Sequence, residues 1–490
     1  MHPRFSVFAV STAIVLAACS TDVVVAPLKV PTGPKLAVAV ASQSGDYIVL
    51  TNGKGFPADF ADKVGSLGGS VIYANSKVGF ATVSGLSQDA ATQLGATTGT
   101  NVQADAAFRL DSPLPAAQAD PVELSAPTIE SQGNPAAAIL ASWQWNMRLI
   151  GANAAWTDGQ LGSSDVRVAI LDTGIDYDNR DFFSSATGAR LVDLSRSTSF
   201  VPADDAISAT MFPTRNTISD FNGHGTNVAS QVSSLAFAFS GVTSRTTLFG
   251  VKVLNARGSG TFGGVLSGVL WAADHDADVA NMSLGGTFSK AGAGAFVSTI
   301  NRVFNYAKQK GMLIVVAAGN AQPPDFIPTD IQHNGNQYVT YCDAPHVVCV
   351  AAVGPLSSTG NGDIPAWYSN YGRSAISVAA PGGNSTSTVT AWPWGNDQAS
   401  WVWGFCSRTR LAFDAAGNPA LAGCQAGNIV TGYIGTSQAS PHVAGLAALL
   451  IAKYGHGQPQ TIKRLIEKSG DPIDPAYGRS RINVKNALGL

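Results

Sequence analysis

The sequence predicts an α/β protein: a doubly wound, mostly parallel sheet, preceded by a small α+β unit. Three observations predict it. Beyond Val166, continuous apolar runs alternate with helical stretches, the pattern of a parallel sheet covered on both faces. Ahead of it, 46–110 has a different rhythm, two strand–helix units separated by a turn. The composition suits a large core: only 13% of residues are charged, against a usual quarter, and Gly numbers 52. At 490 residues the chain has room for about three domain-sized units.

In chain order, Arg4 gives a short positive region and 5–18 an apolar stretch, so 1–18 reads as a signal peptide. It ends Leu16-Ala17-Ala18-Cys19-Ser20, which resembles a bacterial lipobox in which Cys19 is lipidated. An ordinary signal peptide with an incidental Cys reads the same way. The stretch 19–45 is rich in Ala, Val, Pro and Thr and is expected to be a tether. In 46–110, Tyr47-Ile48-Val49-Leu50 is a strand, and Phe56, Phe60, Val64 and Leu67 fall at helical spacing. Strands at 71–74 and 78–83 follow, then a helix through Ala90, Ala91 and Leu94 and a strand at 101–104. The order βαββαβ is ferredoxin-like. Pro113, Pro115, Pro121, Pro127 and Pro135 mark 111–142 as an exposed, cleavable linker, and a new domain, 143–490, starts at Trp143. Its strands are expected at 166–171, 248–254, 279–282, 312–317, 347–353 and 376–380, and its helices at 226–235, 264–274 and 295–310.

A net charge of −2 gives no electrostatic case for nucleic acid. With Cys19 set aside, Cys342, Cys349, Cys406 and Cys424 form an even set in a chain read as exported, which points to disulfides. Three pairings exist; sequence proximity favours Cys342–Cys349 with Cys406–Cys424. No Cys or His spacing suggests zinc.

Four stretches carry chemistry. The first strand ends at Asp172-Thr173-Gly174, so Asp172 stands at a carboxyl edge, where such sheets place their sites. His224 sits between Gly223 and Gly225 at a helix start, which leaves its imidazole open to approach. Asn320 closes Val315-Val316-Ala317-Ala318-Gly319-Asn320 at another strand end. Ser437 lies in Gly435-Thr436-Ser437-Gln438-Ala439-Ser440-Pro441-His442, just ahead of an all-apolar run that reads as a buried helix. Pro441 is tolerated in a first helical turn, which sets Ser437 near the helix N-terminus. Taken singly, each has a plain alternative: a turn Asp, a surface His, a turn Asn, an N-cap Ser.

Together, in the order Asp, His, Asn, Ser, the four resemble the subtilisin family of serine proteases. Departures are Asn227 for a His, Ser230 for a Gly and Gln438 for a Met. The resemblance covers 143–490 closely and 46–110 loosely. It implies a serine endopeptidase: Ser437 as nucleophile, His224 as base, Asp172 orienting it, and Asn320 with the Ser437 N–H as the oxyanion hole. It implies that Gly258, Ser259 and Gly260, and Ser283, Leu284 and Gly285, form two edges that sandwich an extended peptide. It also implies that 46–110 is an inhibitory propeptide, so the partners are protein or peptide substrates and the chain's own propeptide. By the same resemblance, the S1 floor would fall near Thr340.

A monomer is expected, extracytoplasmic, secreted or held to membrane only through a lipid on Cys19. The family's calcium-binding Asp corresponds to Asp181, but the facing loop, Leu235-Ala236-Phe237-Ala238-Phe239-Ser240-Gly241, lacks oxygen-rich side chains. The expectation is therefore no cofactor and a metal-free Asp181, with calcium as the alternative although the usual loop is not matched. The insertion 383–430 holds Trp392, Trp394, Trp401 and Trp403, which suit either an exposed binding flap or a core under a disulfide. Two further classes fit the sequence less well. An esterase on an α/β-hydrolase fold would show Gly-x-Ser-x-Gly, which is missing here. A catalytically dead binding protein would have lost one of the four residues.

Overall fold

The computed structural model describes residues 45–52, 55–110, 122–123, 130–291, 293–322, 326–356, 360–385, 400–425 and 429–490. The signal peptide, Cys19, the tether up to 44, Trp392 and Trp394 lie outside them.

The small unit runs β1 (Tyr47–Leu50), α1 (Phe60–Ser66), β2 (Ser70–Asn75), β3 (Phe80–Ser84), α2 (Gln88–Thr98) and β4 (Asn101–Ala104). Its antiparallel sheet has the order β2-β3-β1-β4. Alternation along β1 divides its side chains between two cores. Tyr47 and Val49 pack with Phe60, Val64 and Leu94 of the unit's own helices. Ile48 and Leu50, with Val78 and Phe80, join a core of the large domain. Alone, the small unit would leave that second apolar face in water, so docking stabilises both parts.

In the large domain, β5 (Arg167–Asp172), β6 (Thr198–Ser199), β7 (Thr247–Lys252), β8 (Val279–Met282), β9 (Leu313–Ala317), β10 (Val347–Val353) and β11 (Val378–Pro381) form one parallel sheet, ordered β11-β10-β9-β8-β5-β7-β6. Every residue of β8, β9 and β10 is buried, which explains their unbroken apolar runs. The two-residue β6 was not foreseen; it is too short to show a period. Helices α3 (His224–Val232), α4 (Phe262–Asp274), α5 (Gly294–Gln309) and α6 (Thr436–Tyr454) flank the sheet, and α6 is buried from Thr436 through Ile451. No described helix is long and apolar enough to cross a membrane.

One region differs from its sequence reading, and in a second the structure chooses between two readings. Of the stretch 111–142, Val122–Glu123 pairs with Ile429–Tyr433, and 130–142 hydrogen-bonds along the loop 235–241. In the insertion, Trp401 and Trp403 are 3% and 4% exposed and belong to the main core, so these two are not a surface flap. Val402–Phe405 pairs with Ile429–Tyr433, the strand that leads into Ser437. Cys342 is bonded to Cys349, and Cys406 to Cys424.

Candidate active site

Asp172 ends β5 at the sheet's carboxyl edge and is fully buried. Its Oδ1 accepts from Thr173 N at 2.7 Å and meets His224 Nδ1 at 2.8 Å. A carboxylate accepts only, so Nδ1 carries the hydrogen and Nε2 is left as the basic nitrogen. Burial lowers the imidazole's affinity for a proton, but the Asp172 charge and hydrogen bond, helped by Asp220, outweigh it and raise the pKa above 6.5. Two glycines permit this approach. Gly174 has φ +112°, and a Cβ there would lie 2.3 Å from Ile218 O. A Cβ on Gly225 would lie 2.2 Å from Gly174 O and 3.1 Å from the Asp172 side chain.

Asp220 was not singled out in the sequence, yet it fastens the two motifs together. Its buried carboxylate accepts from Thr173 Oγ1 (2.9 Å), Gly223 N (2.8 Å), Asn222 N (3.0 Å), Thr226 N (2.9 Å) and Thr226 Oγ1 (2.6 Å). Its main-chain carbonyl accepts from Ser407 Oγ at 2.5 Å and Thr409 Oγ1 at 2.9 Å, beside the Cys406–Cys424 bridge. A lone Asp near Asn222 gives no signal that would have revealed this. Tyr433 was likewise missed; its ring stands edge-on to His224, with centroids 6.1 Å apart.

Ser437 is the second residue of α6, 8% exposed. Pro441 lies beyond the first turn, contrary to expectation, and its missing N–H leaves the Ser437 carbonyl without its helical donor. Ser283 Oγ fills that vacancy at 2.7 Å, and itself accepts from Asn281 Nδ2 at 2.9 Å. In return Ser437 Oγ donates to Ser283 O at 3.1 Å. Asn320 Oδ1 accepts from Thr436 N at 2.9 Å and Thr436 Oγ1 at 3.0 Å, which fixes the amide's orientation beside the start of α6. A Cβ at Gly435 would lie 3.7 Å from Asn320 Nδ2.

The expected peptide edges have different states. Ser259–Thr261 is already paired, antiparallel, with Ala107–Arg109, and Leu110 N donates to Gly258 O at 2.8 Å. Leu110 also closes over Gly258, where an added Cβ would meet its Cδ1 at 3.1 Å. Ser283 adjoins Ser437, while Leu284 is 2% exposed in the core and so can offer a peptide only its main chain. Gly285 is buried and follows directly. The departures Asn227, Ser230 and Gln438 share one buried polar layer. Gln438 Nε2 reaches Asn227 Oδ1 at 3.4 Å, and Ser230 Oγ donates to Asn227 O at 2.7 Å.

A buried carboxylate–imidazole pair, a hydroxyl at a helix N-terminus and an anchored amide are the parts that acyl transfer uses. The sequence profile of the subtilase family matches residues 163–485, and the chain belongs to that family of serine peptidases. It is 32% identical over 311 residues to alkaline elastase YaB of Bacillus sp. (strain YaB), covering 63% of this chain and 60% of that protein. It is 29% identical over 347 residues to subtilisin DY of Bacillus licheniformis, covering 70% and 97%. Thermitase of Thermoactinomyces vulgaris is 28% identical over 354 residues, covering 71% and 96%. The epidermin leader peptide processing serine protease of Staphylococcus aureus shares the fold with a TM-score of 0.65 at 21% identity, over 91% of this chain and 98% of its own.

Proposed function

We propose that this chain is an exported serine endopeptidase, made as a self-inhibited and self-processing precursor. The observation that carries the proteolytic reading is the His224–Asp172 contact at 2.8 Å, on a helix whose Asn227 meets Gln438, the residue after Ser437 in the first turn of α6. In the reaction the Ser437 hydroxyl would leave Ser283 O for His224 Nε2; such contacts often form only with substrate bound. Ser437 Oγ then attacks the scissile carbonyl while His224 Nε2 takes its proton. Asp172 holds the ring and stabilises the imidazolium. The oxyanion accepts from Asn320 Nδ2 and the Ser437 N–H, a first-turn amide with no helical carbonyl to bond. His224 returns the proton to the departing amine, and water repeats the cycle on the acyl-enzyme. No cofactor enters these steps.

Docking of Ala107–Arg109 on Ser259–Thr261 supports self-inhibition, because an incoming peptide would need that same edge. The small unit is held elsewhere as well: Asp105 Oδ1 accepts from Gly263 N at 2.8 Å at the start of α4, and Arg302 donates to Thr51 O at 3.0 Å. Lipid on Cys19, a monomeric working form and placement outside the cytoplasm complete the proposal and rest on the sequence.

Casein hydrolysis and fluorophosphonate labelling test the chemistry. Both should occur in the wild type and vanish in Ser437→Ala. Membrane fractionation tests the anchor. Ser437→Ala should stay whole in the membrane fraction, Cys19→Ser should be released even uncleaved, and the wild type should free its catalytic part by cleavage after the propeptide. Active, processed enzyme that still partitions with membrane would refute the tethered-zymogen reading.

A further inference from the structure

Family resemblance raises a calcium site at Asp181, and the residues present do not fit one. Calcium takes about six to eight oxygen ligands. The loop 235–241 turns N–H groups toward Asp181 instead. Leu235 N donates to Asp181 O at 2.7 Å, and Phe237 N and Ala238 N each donate to Oδ1 at 3.1 Å. Only Oδ2 of this buried carboxyl meets no donor. Among the described residues, no cluster of three His, Cys, Asp or Glu side chains could hold a metal.

The loop's carbonyls are engaged as well, mostly by one upstream segment. Ala236 O accepts from Ser131 N (3.1 Å), Phe237 O from Ile139 N (3.0 Å) and Ala238 O from Leu140 N (2.9 Å). Phe239 O accepts from Ser234 Oγ at 2.6 Å. Gln144 clamps Ser240 from both sides: Nε2 donates to its O at 2.7 Å and Oε1 accepts from its N at 2.8 Å. The head of the segment is tied to the residues flanking Asp181. Glu130 accepts from Arg180 Nε and Nη2, each at 3.1 Å, and from Ser184 Oγ at 2.8 Å. The Arg180 guanidinium lies 3.5 Å over the Phe237 ring, closing the circuit.

We propose that segment 130–144 takes the structural place of a metal ion at the Asp181 loop, holding 235–241 shut with protein alone, and that it therefore stays on the catalytic unit after processing. Donors from Ser131, Ile139, Leu140 and Gln144 satisfy the carbonyls that a cation would otherwise draw inward. Asp181 satisfies the loop amides from the other side. The second clause rests on the self-processing reading; the first does not.

Hydrogen exchange tests the first clause on the full chain carrying Ser437→Ala, which removes autolysis. The amides of Phe237, Ala238 and Ser240 should exchange equally slowly in EDTA and in millimolar calcium. Gln144→Ala should speed Ser240 exchange roughly tenfold or more, because two buried hydrogen bonds are lost, and calcium should not restore it. Faster loop exchange in EDTA that calcium reverses would overturn the proposal, as would unchanged exchange in Gln144→Ala. If Gln144→Ala does not fold, the EDTA comparison on the unaltered segment still decides. N-terminal sequencing of processed wild-type enzyme tests the second clause. A mature chain starting before Glu130 is expected; one starting at or beyond Gln144 with unchanged loop protection would overturn it. Failure to process at all would refute the zymogen reading and leave the exchange result standing.

Discussion

Replacing Asp181 by Asn should flatten one part of the enzyme's stability–pH profile. Burial pushes this carboxyl up from 3.8 to about 7, and the hydrogen bonds that favour its charged form, from the loop amides among them, offset burial only in part. Folding therefore takes up a proton between those two values. The stabilising contribution is complete below the unfolded pKa and is lost as pH rises through the folded one. Each pH step between the two costs ~1.4 kcal/mol, so roughly 2–3 kcal/mol should disappear between pH 5 and pH 8. Asn keeps an oxygen for Phe237 N and Ala238 N and carries no charge at any pH. Urea unfolding of Ser437→Ala with and without Asp181→Asn, at pH 5, 6, 7 and 8, measures it. The gap in unfolding free energy between the two chains should shift toward the Asn variant by that amount as pH rises. Other titrating groups cancel in the difference, including Asp105, raised to about 6, and His442, lowered to about 4. Parallel profiles across the range would refute the reasoning.

Four further outcomes can be checked. Asn320→Asp keeps the acceptor for Thr436 but loses the Nδ2 donor, and steady-state kinetics should show kcat down by ~10²–10³ with KM little changed; the reference value for such a donor is itself a subtilisin's. Ser283→Ala should lower stability by ~1–3 kcal/mol in denaturant unfolding, because the buried Ser437 carbonyl loses its donor while Pro441 supplies none. The acid limb of kcat/KM should lie above pH 6.5 and move down in Asp172→Asn, since the base must be neutral and Asp172 is what raises it. Leu110→Pro should accelerate processing of the precursor on a gel time course, because it removes the N–H that Leu110 donates to Gly258 O and so weakens the docking on that edge.

What the sequence by itself determined is local. Apolar runs of four to seven residues located six of the seven parallel strands, because a strand buried on both faces has no polar alternation to confuse it. Asp172, His224, Asn320 and Ser437 were legible because each needs a particular backbone beside it: a glycine that permits close approach, a strand end, or the start of a buried helix. Contacts between distant segments were left to the tertiary structure. Nothing near Asp220 in sequence announces the five donors that converge on it, and nothing near Ser283 announces the carbonyl that Pro441 leaves bare. The stretch 111–142 reads as free linker because Pro, Ala and Gln show no period, yet from Glu130 onward its polar groups are satisfied by a loop about a hundred residues away. Hydrophobic period reports burial of side chains on one element. Pairing of main-chain donors with acceptors across the fold leaves no period in sequence, so only the folded chain decides it.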